Sequence, residues 1–185
     1  NSDNNWKVYH VSLGNNKILN LNDTGKQAGG TAYWNDTTPT STLITLGTNS
    51  AINGSEDTYI MYAFAEKTGY SKFGKYIGNG TAGDNHFQFC GFKPSVIIFK
   101  NASTDSAQLW EMYDNKRLGY NDKNYRIYPC EDDVESTSTN RVDFLSNGFK
   151  VRTHASHMGT DGETYVYMAF GQTIVGTNNI PATAR

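Results

Sequence analysis

Hydrophobic and polar residues alternate along this chain in short runs, and no window carries the three-to-four-residue recurrence of an amphipathic helix. The runs fall at residues 6–11, 17–22, 42–46, 59–66, 72–77, 87–92, 95–100, 109–113, 125–128, 141–145, 149–153 and 165–171. Each predicts a strand, because alternate side chains on an extended backbone share a face and the lengths match ordinary strands. Asn and Gly separate the runs, at Gly14-Asn15-Asn16, Gly78-Asn79-Gly80, Ser146-Asn147-Gly148 and Asp161-Gly162, where a turn needs positive φ at low cost. Many short strands at this spacing predict an all-β fold, a jelly-roll or concanavalin-like β-sandwich.

Aligning the chain with itself adds an imperfect internal repeat of about 104 residues. Trp6-Lys7-Val8-Tyr9 and Trp110-Glu111-Met112-Tyr113 share a W-x-x-Y frame at a displacement of 104. Thr58-Tyr59-Ile60-Met61-Tyr62-Ala63-Phe64 matches Thr164-Tyr165-Val166-Tyr167-Met168-Ala169-Phe170 at a displacement of 106. Between these anchors, the run 42–47 lies where the second copy has 142–149. Small loop insertions between matched strands are what a duplicated β-domain shows. Residues 71–101 precede Trp110 and have no counterpart before Trp6. The register therefore predicts an incomplete first repeat at 1–70, a complete second repeat at 71–170 and an extended tail at 171–185, with the two repeats able to form one sandwich. The strands missing from the first copy are expected upstream in a longer gene product or on another chain. The absence of an initiator Met points the same way.

Composition narrows the function classes. Charged residues are only 18% of the chain and the formal net charge is −2, with no basic run, so the footprint of nucleic-acid binding is missing. No stretch reaches the roughly 20 apolar residues of a membrane helix. Twelve tyrosines and nine phenylalanines in short runs suit pleated, half-buried strands. Cys90 and Cys130 lack metal-ligand spacing; Cys90 reads as a small buried residue, and a bridge between the two stays open.

The search for chemistry yields no catalytic residue and no cofactor or metal site. Glu131-Asp132-Asp133-Val134-Glu135 carries the alternating acids of a jelly-roll glycoside hydrolase, whose retaining mechanism needs carboxylates about 5–5.5 Å apart. Pro129 and Cys130 before it and Ser136-Thr137-Ser138-Thr139-Asn140 after it supply no apolar alternation, which favours a solvated acidic loop. His154 and His157 lack the further ligands a metal needs. His10 aligns with Asp114 in the repeat, so both copies cannot share an imidazole role. Trp6 and Trp110, at repeated strand positions, read as core. Binding chemistry is better supported. Tyr33, Trp34, Asn35 and Asp36 lie in a Gly/Thr-rich connection, and Tyr120, Asp122 and Tyr125 in a second loop of similar composition. A loop aromatic beside amides and carboxylates can stack on a sugar face and hydrogen-bond its hydroxyls; it can equally cap a sandwich.

Seven stretches carry a resemblance across essentially the whole chain: WKVYHVSLG (6–14), LNLN (19–22), YWNDTTPTST (33–42), YIMYAFAEKTGYSKFGKYIGNG (59–80), GFKPSVIIFK (91–100), DFLSNGFKVR (143–152) and YVYMAF (165–170). The chain resembles a family of repeated domains in the tail-fibre and tailspike proteins of tailed bacteriophages, especially those of aquatic bacteria, and the ending IPATAR (180–185) looks like a C-terminus in it. Departures are the truncated first copy and Gly171-Gln172 where the first copy has Ala65-Glu66. The resemblance implies a virion tail component, made in the host cytoplasm and acting outside the cell. It implies a homo-oligomer, a trimer favoured, that contacts other tail subunits and a host surface polysaccharide or lipopolysaccharide. It transfers no catalytic residue. A purely structural virion role is the alternative reading, and a glycan depolymerase the third.

Overall fold

The computed structural model describes residues 4–104, 108–117, 121, 124–137 and 141–171. Three antiparallel sheets account for nearly all of its regular structure. The largest has the order β4 (Ser71–Ile77), β11 (Thr164–Gly171), β6 (Pro94–Asn101), β7 (Glu111–Asp114) and β8 (Arg126–Ile127). A second joins β5 (Phe87–Phe89), β10 (Gly148–Val151) and β9 (Val142–Leu145), and a third joins β1 (Lys7–Val8), β2 (Lys17–Asn20) and β3 (Ala28–Gly29). Two one-turn helices, α1 (Thr31–Trp34) and α2 (Ser50–Asn53), interrupt the connection after β3.

Strand alternation explains the packing. On β11, Tyr165, Tyr167 and Ala169 point to one face and join Phe99, Tyr113, Phe144 and Phe149 in the main core, shared with the β5–β10–β9 sheet. The aromatic rings interlock: Phe149 meets Phe99 and Tyr167 edge-on, each at 5.1 Å between centroids, and Tyr165 stacks on Tyr76. Val166 points the other way, into a second cluster with Leu19, Ala102 and Trp110, covered by the β1–β2 hairpin. β11 is thus buried on both faces, and residues from the first part of the chain close the sheet's outer side. Lys100, on that side, has its Nζ donating to the carbonyls of Thr24 at 2.7 Å and Gln108 at 2.5 Å.

Glycine is required where backbones meet. A Cβ on Gly148 would lie 2.0 Å from the Gln88 carbonyl oxygen, so only glycine lets β10 pair this closely with β5.

Residues 42–46 and 59–66, expected as strands, form none. Their side chains are largely exposed, from Leu43 and Ile44 to Tyr59, Ile60, Met61, Tyr62 and Phe64. A period-two pattern favours extension, but a strand exists only where another backbone satisfies its donors and acceptors. The helices were not anticipated, since one turn displays no periodicity; capping builds them instead. Asn49 accepts from Ala51 N–H at 2.9 Å to start α2. Asn35 ends α1 in the left-handed conformation. The tail beyond residue 171 lies outside the described residues.

Candidate functional site

Of the residues singled out for sugar binding, Tyr33, Trp34, Asn35 and Asp36 sit together on α1 and its C-terminal turn. Asn35 and Asp36 are consecutive non-glycine residues at positive φ, 50° and 46°. Such conformations cost on the order of 1–3 kcal/mol each and concentrate at functional corners. The corner is pinned from below: Asn15 Nδ2 donates to the Asp36 carbonyl at 2.7 Å and to Thr38 Oγ1 at 3.2 Å. The Asn35 and Asp36 residues themselves remain exposed. Lys7 Nζ lies 5.4 Å from the centroid of the half-buried Tyr33 ring and also bonds Asn20 Oδ1. The corner therefore presents an amide, a carboxylate, threonine hydroxyls and an ammonium on a rigid base.

Trp34, singled out as an aromatic that could either stack on a sugar or cap the sandwich, is buried. Its Nε1–H donates to the Lys17 carbonyl at 2.9 Å and its ring meets Tyr9 edge-on, so the indole ties α1 to β2. Trp6, expected in the core beside Trp110, is the reverse case: 51% exposed and stacked on exposed Tyr62 at 6.1 Å, where Trp110 is 6% exposed. A shallow groove of about 290 Å³ is lined there by Trp6, Leu21, Asn22, Tyr62 and Pro129.

Tyr125 is half-buried just before β8, and no hydrogen bond or ring contact among the described residues joins it to the α1 corner. Tyr120 and Asp122 lie outside the described residues. Their neighbour Asn121 is again left-handed, at φ 58°, and latches this loop to β9 by exchanging 2.7 Å hydrogen bonds with the Phe144 backbone.

The acidic run 131–135 is exposed and outside the strands, with Glu135 paired to Arg117. Cys90 and Cys130 are free thiols, and burial pushes the Cys90 thiol up to about 12. Among the described residues no group of three His, Cys, Asp or Glu side chains is placed to hold a metal. No helix among them is long and apolar enough to cross a membrane.

The family described as Domain of unknown function (DUF7483) matches residues 1–173. The chain belongs to that family. The DUF7483 match runs from before β1 to past the end of β11, so all three sheets lie within it. No curated protein and no solved structure matches the chain.

Sequence reading missed one polar constellation of this DUF7483 chain. Glu111, 1% exposed, takes Arg141 at 2.8 Å and Arg126 at 3.5 Å, and accepts from the Tyr113 hydroxyl at 2.6 Å. The available signal was alternation: Glu111 and Tyr113 are two apart on β7 and so share the inward face. The network ties β7, β8 and the start of β9 together rather than opening to a cleft.

Proposed function

We propose that the chain is a host-contacting component of a bacteriophage tail fibre or tailspike, acting outside the cell as a homo-oligomer on a surface polysaccharide or lipopolysaccharide. Its β-sheets would form a jelly-roll or concanavalin-like sandwich built from the imperfect repeat. The observation that carries the glycan reading is the strained, exposed Asn35–Asp36 corner, held by Asn15 beside Tyr33 and Lys7. Fixed amide, carboxylate and ammonium groups on a rigid scaffold match the hydroxyl-rich, low-charge surface of a glycan. The tail-protein assignment rests on the stretches that resemble that family.

The test is binding of the purified chain to envelope polysaccharide from the bacterium its phage infects. Asp36→Ala should weaken binding about tenfold or more, the value of a hydrogen bond to a charged group, when measured well below its melting temperature, which alanine at this positive φ lowers somewhat. Trp34→Ala is unsuitable for this purpose, because it removes a buried strut. Absence of binding by the unaltered chain, with phage adsorption intact in Asp36→Ala, would instead favour the purely structural virion role. That second reading has its own support in the exposed apolar residues at 59–64.

A further inference from the structure

Residues 58–64 agree with the first seven residues of β11 at Thr58, Tyr59, Ala63 and Phe64, which match Thr164, Tyr165, Ala169 and Phe170. Yet their surroundings are opposite. β11 has β4 on one side and β6 on the other along almost its whole length. Among the described residues, 58–64 have no strand neighbour and their backbone N–H groups find no partner. Ile60 is 73% exposed where its counterpart Val166 is 1% exposed, and Met61 is 55% exposed where Tyr167 is 2% exposed.

The same vacancy recurs at β1. Its counterpart β7 is paired with β6 and with β8, whereas among the described residues β1 is paired with β2 alone. The hairpins correspond, since Val8 faces Leu19 as Met112 faces Ile127. Residues 42–46 also form no strand, whereas in the region they match β9 pairs with β10, and β10 in turn with β5. The neighbours missing at residues 58–64 and at β1 are thus counterparts of β4 and β6, both within residues 71–101.

We propose that residues 58–64 are the central strand of a second sheet, completed by a segment homologous to 71–101 supplied from outside residues 1–185. A β4-like strand would add to one edge. A β6-like strand would add to the other, between residues 58–64 and β1, covering Trp6 and Tyr62. The occupant is a strand pair of this family rather than a second copy of the chain. In any second copy β6 is already flanked by β11 and β7, leaving only the outer edge of β4. There the Phe73 N–H is held by Glu66 Oε1 at 3.0 Å. The inference does not depend on the glycan reading.

Residues 71–104 fused in frame ahead of residue 1 reproduce before Trp6 the spacing that precedes Trp110. In this fusion, amide hydrogen exchange at residues 7–8 and 59–64 should slow by about 100-fold or more relative to the unfused chain. Proline at the grafted positions of Lys75 and Ile98 should abolish that protection. The peptide 71–104 added in trans to the unaltered chain gives a second reading should the fusion fold poorly, with the same protection expected. Unchanged exchange at 59–64 in both formats, with β11 still protected, overturns the proposal. So does a concentration-dependent dimer of the unfused chain that protects 59–64 by itself, which would make a second copy the occupant.

Discussion

At the scale of single residues, the chain buries several polar groups, and each makes a measurable demand. His10 is packed with Nε2 3.1 Å from the Tyr167 carbonyl and Nδ1 accepting from Ser12 N–H at 3.2 Å. That geometry fits the neutral tautomer carrying its proton on Nε2, and burial lowers the imidazole's pKa further. A His with a depressed folded pKa takes up its proton more readily when unfolded, so its contribution is complete above about pH 6.5 and is lost as pH falls below that value. Urea unfolding should therefore show stability declining below about pH 6.5, with a shallower decline in His10→Gln. Glu111 makes the larger demand. Removing it leaves Arg126 buried without its countercharge, and Glu111→Ala should destabilise the fold by about 3–5 kcal/mol in the same assay. Residue types alone could not reveal which of three tryptophans faced water. Trp34 and Trp110 each place an indole N–H on a backbone carbonyl of β2, and Trp6 stays outside.

At the scale of elements, antiparallel pairing decides what the local pattern only permits. The runs at 72–77, 95–100 and 165–171 were readable because alternating Phe, Ile, Tyr and Val mark them, and all three became long strands. The run at 59–66 carries the same mark and forms no strand. Pairing across β5 and β10 depends on Gly148, whose added methyl would strike the Gln88 backbone. Gly148→Ala should lower stability by about 1–3 kcal/mol, with the first loss of amide protection in β5 and β10. The α1 corner was legible as a cluster of Tyr, Asn and Asp. Its left-handed backbone was not, because Asn is only permissive of positive φ and the pinning hydrogen bond comes from Asn15, on another turn.

At the scale of the molecule, Tyr59, Ile60, Met61, Tyr62 and Phe64 form an exposed row of large apolar side chains, with Trp6 stacked on Tyr62. The isolated chain should bind a hydrophobic dye at this face. Lysine at Ile60 and Tyr62 should remove most of the dye fluorescence without lowering the melting temperature, since neither side chain lies in either buried cluster.

The all-β character and the identity of most strands followed from the sequence alone, because side-chain alternation and turn residues are local properties. The likeness in sequence between residues 58–64 and 164–170 was equally local. Tertiary structure alone decided which of those two segments became a central strand, which tryptophans were covered and where Glu111 found its arginines. Each of those outcomes depends on backbone edges and side chains brought from distant parts of the chain, and a segment with every preference for a strand remains unpaired until such an edge arrives.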